Sequence, residues 1–584
     1  MRAVLIGLLI LGIQQQAFSQ QDSIEMENQD AENFIQKALE RYPMLEPCQP
    51  PGYHEQILCG QFNAYENHNS KKGKRIPLDV VVLPANIDDP AKSAYTLHWG
   101  GNGGAAYDKI WTFGQGSTAQ KIRATRDVVL IDDRGTGASN IRCAAMDSLK
   151  PYSYAFVYDE NRIKECLNEV RDQVDLSLYT TPSLVQDYEE VRRWLGLEQY
   201  DFYGSSYGTR VGLEYMRQFP DKIRTLTVKG NVPPGFNYIN EMDVAIQEQL
   251  EILFERCKED TVCSKYYPDF KKELYEVRDR LKENPVTINY TLEDGKSTNV
   301  TMDDLLFRRM VGHQILNGDA NEALPLLIHR AYNGNYTPLI VAGGSLNLDM
   351  PVFLSQFCPE EVDRFTFDPE SIGADALFTE GAIGQEKISA CEWWMDMPAA
   401  DWLDESLAGE SPILIITGEY DANTPIKMGE QVKNALPDQS RHIILPHNGH
   451  AGTTDRDCRF NLISQFIETK DLQGLDTTCL SDIESTPFAY ELALEDEEFD
   501  KYAGDYNSED PSKMLSLHKQ NGVFYLLDEF SRFSGPSQLL YKGDDTFDLL
   551  DCARCQLIFD MDGDEVSQVQ RVYRETVTFQ PKES

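Results

Sequence analysis

The sequence predicts an α/β fold: a mostly parallel sheet with helices on both faces. Three observations predict it. Buried-strand patterns alternate with amphipathic helical patterns from Pro77, and the alternation resumes at Pro412. Gly204-Ser-Ser-Tyr-Gly208 is a G-x-S-x-G turn placed between a strand pattern and a helix pattern. Clusters of polar residues lie just past several strand ends, the edge at which open α/β sheets bind ligands.

In chain order, Met1-Arg2, the apolar run Ala3 to Ile13 and Ala17-Phe18-Ser19 read as a cleaved secretory signal over 1–19. The run is too short to span a bilayer; an uncleaved anchor is the alternative. Residues 20–76 read as an N-terminal extension. With 95 acidic against 54 basic residues the net charge is −41. Such a surface repels phosphate and anionic lipid, which excludes nucleic acid and membrane as partners. Twelve cysteines behind a signal favour disulfides. Proximity suggests Cys48 with Cys59, Cys143 with Cys166, Cys257 with Cys263, Cys358 with Cys391, Cys458 with Cys479, and Cys552 with Cys555. For Cys552-Ala-Arg-Cys555 a metal or redox role is the rival, though no second pair or histidine stands at zinc spacing.

The first part of the core covers 77–233. Leu78, Val80 and Val82 give an early strand by alternation. Ala94 to His98 is a strand that runs into Trp99-Gly-Gly-Asn-Gly-Gly104. Glycines directly after a strand let backbone N–H groups point inward, as an oxyanion hole requires. Asp127 to Ile131 is a buried strand followed by the polar turn Asp132-Asp-Arg-Gly-Thr-Gly-Ala-Ser139, and Leu184 to Leu195 has helical spacing. Ile223 to Val228 is the strand after the G-x-S-x-G helix.

The region 234–408 reads as a helical insertion over the carboxyl edge of the sheet. Its helices are expected at Met242 to Cys257, Tyr267 to Leu281, Met302 to Ile315 and Ala320 to Ala331. His313 and His329 inside them read as packing or surface residues, and Trp393, Trp394 and Trp402 as core or pocket wall. The core's second part, 409–485, carries strands at Pro412 to Thr417 and His442 to Leu445. After the acidic run Glu491 to Asp500, short alternating segments make 500–584 a small all-β domain. Asp560-Met-Asp-Gly-Asp564 lacks the distal glutamate of a calcium loop and reads as a hairpin turn.

Ser206 is the central residue of the G-x-S-x-G turn. Side chains two residues either side would collide there, so Gly204 and Gly208 are needed. Asp421 and His450 lie past the two later strands. The order Ser, Asp, His fits a nucleophile, a base and an orienting acid gathered from three strand ends. Glu419 and His447 are the alternatives. The Tyr207 N–H, on the residue after the nucleophile, and the Gly101 N–H would bind an oxyanion.

Four segments, in order, resemble the tripeptidyl aminopeptidase and prolyl iminopeptidase group of secreted α/β-hydrolases. They are Gly100-Gly-Asn-Gly103, Asp132 to Ser139, Gly204-Ser-Ser-Tyr-Gly-Thr209, and Gly418-Glu-Tyr-Asp-Ala-Asn-Thr-Pro425 with Gly449-His450. The resemblance runs from about Leu78 to Cys479, outside the insertion. It implies an α/β-hydrolase core with a helical cap, and Ser206, Asp421 and His450 as catalytic residues. It also implies an exported serine peptidase that needs no metal or organic cofactor and releases short pieces from peptide amino termini. A carboxylesterase or lipase with the same triad is the alternative. Trp99 stands where many relatives have His, and Asn102 where they have Pro. Lys229-Gly230 stands where they have Asp-Gly, so an acid that could hold a free amino terminus is absent there. Oligomeric state has no signal in the sequence.

Overall fold

The structure is a computed structural model. It describes residues 34–582 except 52, 54, 102, 115–116, 148–157, 292–296, 318–320, 343–348, 367–375, 379–380, 453, 509–512, 521–522, 529–536, 551, 564 and 573–575. The signal expected over 1–19, Asn102 and Asp564 lie outside these residues.

The central sheet begins with β1 (Glu46–Cys48), β2 (Ile57–Tyr65), β3 (Arg75–Leu83), β4 (Ser93–His98), β5 (Val128–Ile131), β6 (Gln199–Ser205) and β7 (Ile223–Lys229). A separate hairpin, β8 (Val286–Thr291) and β9 (Ser297–Met302), lies in the insertion. The sheet resumes with β10 (Ile413–Gly418) and β11 (Ser440–Leu445), and its order is β1-β2-β3-β5-β4-β6-β7-β10-β11. From β5 to β11 neighbouring strands are parallel; β1, β2 and β3 pair antiparallel at one edge.

Side chains alternate across a strand. Val80 and Val82 of β3, with Ile413 and Ile415 of β10, pack against the helices Thr181–Trp194, Tyr207–Gln218 and Ile426–Ala435. Val81 and Leu83, with Leu414 and Ile416, pack against the helix Arg456–Thr469. A strand covered on both faces reads as a continuous apolar run, which is why β10 is so plain in the sequence.

The sequence-based boundaries shift in three places. Strands β1 and β2 fall within 20–76, so that stretch contributes to the sheet as well as preceding it. The insertion holds the β8–β9 hairpin beside its helices. Its apolar core also takes Ile163, Cys166 and Val170 from the helix Glu160–Val170, upstream of 234. Edge and hairpin strands face water on one side, so their apolar patterns are short and broken.

Eight strands close an antiparallel barrel: β12 (Gly504–Ser508), β13 (Met514–Gln520), β14 (Val523–Leu527), β15 (Ser537–Gly543), β16 (Thr546–Leu549), β17 (Cys552–Asp562), β18 (Glu565–Val572) and β19 (Thr576–Pro581). Closure removes exposed strand edges. Leu515, Leu526, Phe547, Phe559, Val569 and Phe579 fill the barrel. The turn after Asp560 joins β17 to β18 as a hairpin. The barrel and the chain leading to it dock on the insertion: Tyr490 stacks on Tyr266 at 4.8 Å, and the Gln538 amide donates to the Pro338 carbonyl at 3.0 Å.

All six cysteine pairs suggested by proximity are disulfides, with sequence separations from 3 to 33. No helix among the described residues is long and apolar enough to cross a membrane.

Candidate active site

Ser206 sits between β6 and the following helix with φ 52° and ψ −126°, a strained backbone for a residue with a side chain. Its N–H donates to the Lys229 carbonyl at 2.8 Å. A Cβ on Gly204 would lie 2.2 Å from the Gly208 carbonyl oxygen, and one on Gly208 would lie 2.3 Å from that of His98. The turn therefore closes only with glycine at both positions.

The loop after β11 brings His450 to the serine. His450 Nε2 is 3.0 Å from Ser206 Oγ, and Nδ1 is 3.0 Å from each oxygen of Asp421. Asp421, buried past the end of β10, also accepts the Thr424 N–H at 2.8 Å and the Thr424 hydroxyl at 2.7 Å. Burial pushes the Asp421 carboxyl up, but His450, Lys229 and Thr424 outweigh it and hold the pKa below the usual aspartate value. The acid is thus ionised and oriented toward the imidazole. The alternatives stand apart: Glu419 accepts the backbone N–H of His447 at 2.8 Å, and both side chains are exposed.

Lys229 donates to the carbonyls of His450 and Ala451. The cation thus anchors the histidine loop.

The glycine loop after β4 lies against the serine. Gly100 is so close that a Cβ would be 2.4 Å from Ser206 Cβ. Gly101 has φ 62° and, with Tyr207 and Ser206, lines one cavity. The Tyr207 N–H lies in the first turn of its helix, where backbone N–H groups have no intrahelical acceptor.

The polar turn after β5 holds the glycine loop. Asp133 accepts the Gly104 N–H at 2.8 Å, Lys109 Nζ at 3.0 Å and the Tyr188 hydroxyl at 2.9 Å. Asp132 accepts three backbone N–H groups, from Asp79, Ala106 and Ala138, although burial raises its pKa to about 6. Arg134 forks onto Asp187 at 2.7 and 2.8 Å. These residues position the site from behind. Gly100→Ala is expected to lower kcat/KM by at least about 100-fold, because a misplacement near 1 Å has that effect. Steady-state kinetics with thermal unfolding as a fold control would check it; activity near wild type would refute it.

The cavity holds about 610 Å³. Trp99, Trp111 and Tyr203 from the core and Phe353, Phe357 and Leu316 from the insertion wall it, so the insertion roofs the serine. His313, read from the sequence as a packing residue, lines this roof 3.5 Å from Glu386. His329 is a packing residue, 3.0 Å from Glu273 and against the Tyr267 ring. Trp394 is buried in the core of the insertion. On the helix after Ser206, buried Arg210 donates to Glu360 at 2.9 Å and to Glu361 at 2.7 Å, both from the insertion helix Met350–Glu361. The Tyr207 hydroxyl donates to Glu360 at 2.9 Å.

A sheet of this order, a serine on a strand-to-helix elbow, and an aspartate and a histidine from the ends of β10 and β11 define a serine-nucleophile α/β-hydrolase. Residues 99–290 match the family described as alpha/beta hydrolase fold, and residues 379–479 match TAP-like protein. The chain is thus similar to the α/β-hydrolases over one stretch and to TAP-like proteins over a later one.

The chain is 24% identical over 192 residues to the serine protease Hip1 of Mycobacterium tuberculosis, covering 30% of this chain and 36% of that protein. It is 30% identical over 110 residues to a probable proline iminopeptidase of Streptomyces coelicolor, covering 19% of this chain and 26% of that one. The matches thus span little more than a third, at most, of these curated relatives' lengths. Among solved structures, the proline iminopeptidase-related protein of Thermus thermophilus aligns with TM-score 0.31 and 16% identity, over 70% of this chain and 96% of that one.

Proposed function

We propose that the protein is an exported serine peptidase that cleaves short peptides near their amino termini through an acyl-enzyme. The observation that carries this is the unbroken chain of contacts from Ser206 to His450 to Asp421 at one wall of a roofed cavity. In this mechanism His450 Nε2 takes the Ser206 proton as Oγ attacks the scissile carbonyl. The Gly101 and Tyr207 N–H groups receive the oxyanion. His450 returns the proton to the leaving amine, then activates the water that frees the acyl group. Asp421 holds the imidazole tautomer and steadies its charged form. The peptidase relatives support the substrate class, the roof favours short chains, and the six disulfides fit an oxidising compartment outside the cytoplasm.

A carboxylesterase is the second reading. One observation favours it: the described lining holds no Asp or Glu that could take an ammonium group. A panel of free-amine di- and tripeptidyl amides, their amine-blocked counterparts and short-chain esters would separate the two. Cleavage of the free-amine amides alone, lost in Ser206→Ala, is the expected result. Ester cleavage without amide cleavage would sink the peptidase reading.

A further inference from the structure

The charge of the cavity is opposite to that of the chain. The protein carries −41, yet the lining holds Lys229, Lys387, Arg456 and Arg459 and, among the described residues, no carboxylate. Three of these cations are occupied or peripheral. Lys229 holds two carbonyls of the histidine loop, Arg459 pairs with Asp455 at 3.2 Å, and Arg456 is exposed. Lys387 differs. It stands on the insertion helix Gly384–Glu392, partly buried, and its one hydrogen-bond partner among the described residues is the Met242 sulfur at 3.4 Å. A thioether is a weak acceptor for a group with three donors, and a desolvated ammonium without a good partner is costly.

Each nearby carboxylate has a partner of its own, although one oxygen of Glu386 and one of Glu361 have no hydrogen bond among the described residues. Glu386 faces Arg309 at 3.3 Å and His313 at 3.5 Å. Asp243 accepts the N–H groups of Ile383 and Gly384 at 3.1 and 3.0 Å, and Glu361 accepts Arg210. Gln356 lines the same cavity; it is 2% exposed, and its Nε2 has no partner among the described residues. An ammonium and an amide N–H, both short of acceptors, call for a ligand with a charged acceptor.

We propose that the cavity selects substrates carrying a carboxylate close to the scissile carbonyl, such as a short peptide with an acidic residue, and that Lys387 is the specificity-determining residue, with Gln356 as a second donor. The proposal rests on Ser206 being the nucleophile of this cavity. Burial lowers the Lys387 ammonium to about 8 against the pull of Glu386, Asp243 and Glu361, with His313 and Arg309 facing the same cluster. The cation is therefore present below about pH 8 and lost above it, and selection follows the same course.

The test is protection of Ser206 from a fluorophosphonate label by matched tripeptide amides that carry Glu or Gln at each position in turn. It needs no turnover. At one position the Glu peptide is expected to protect about 10- to 100-fold better than its Gln twin, the range of a charge-assisted hydrogen bond. Lys387→Met should bring the ratio near one, and Lys387→Arg should retain it. Because glutamate stays ionised from about pH 6.5 to about 9.5, the wild-type ratio should fall through about pH 8. This arm stands even if Lys387→Met does not fold. No labelling of the wild type, or equal labelling of Ser206→Ala, would overturn the reading of the site itself. Ser206-dependent labelling with equal protection by Glu and Gln, or a ratio flat with pH or indifferent to Lys387→Met, would overturn this inference alone.

Discussion

Changing Ser206 to alanine is expected to lower kcat by about a million-fold, and Asp421→Asn by about ten-thousand-fold, the sizes seen when a triad loses its nucleophile or its orienting acid. The serine hydroxyl is 3.0 Å from His450 Nε2, so its removal leaves the base with nothing to activate. The aspartate acts through the other ring nitrogen. Both of its oxygens are 3.0 Å from Nδ1, and both also accept from Thr424. An asparagine amide would turn an N–H either toward Thr424, which is already donating, or toward the imidazole. The second choice imposes the tautomer that cannot take a proton at Nε2. Glu419→Gln and His447→Asn, which alter the two alternative residues, should leave kcat close to wild type. The measurement is steady-state kinetics on the best substrate of the panel, with fluorophosphonate labelling in parallel. Asp421→Asn activity within tenfold of wild type would remove Asp421 from the triad.

Arg210→Met should give the largest stability loss. Arg210 is fully buried on the elbow helix and bridges Glu360 and Glu361 of the insertion. Removing one partner from a buried ionic cluster costs about 3–5 kcal/mol, because the remaining charges have no counterion. Burial already raises Glu361 to about 7 despite the guanidinium. Without Arg210 it rises further. A carboxyl raised in the folded state loses stability as pH climbs from its unfolded value through its folded one. The variant should therefore be hurt more at pH 8 than at pH 5, where the carboxyls take up protons. Calorimetric Tm values at the two pH values would show it as a drop of about 3–4 °C at pH 8. A Tm equal to wild type at pH 8 would mean that the cluster does not hold the insertion to the core.

The fold was legible where burial on both faces makes a strand uniformly apolar, as in Val128 to Ile131 and Ile413 to Thr417. As candidates, Asp421 stood out past such a strand, Ser206 by its flanking glycines, and His450 by a short apolar run, although β11 is a half-exposed sheet edge. Strands β1 and β2 were not, since an antiparallel edge exposes alternate residues. The residues that support the site were also hidden. Thr424 and Lys229 act through contacts made only when distant loops meet. Lys229 looked like a lost acid and is instead the cation that holds the His450 loop. The turn from Asp132 was visible as a motif, but only the fold shows that it grips the glycine loop. Lys387 had no signal at all: a lysine in a helical stretch reads as surface until a cavity is found beside it.

The disulfides have a mechanical consequence. Two of them, Cys257–Cys263 and Cys358–Cys391, lie wholly within 234–408, and the other four lie wholly outside it. With every cysteine paired, no disulfide joins a residue of 234–408 to one outside it. Each disulfide therefore stiffens only the stretch of chain that it closes. Between the two stretches the buried ties are noncovalent, among them the cluster of Arg210, Glu360 and Glu361, which no change in thiol redox state would cut.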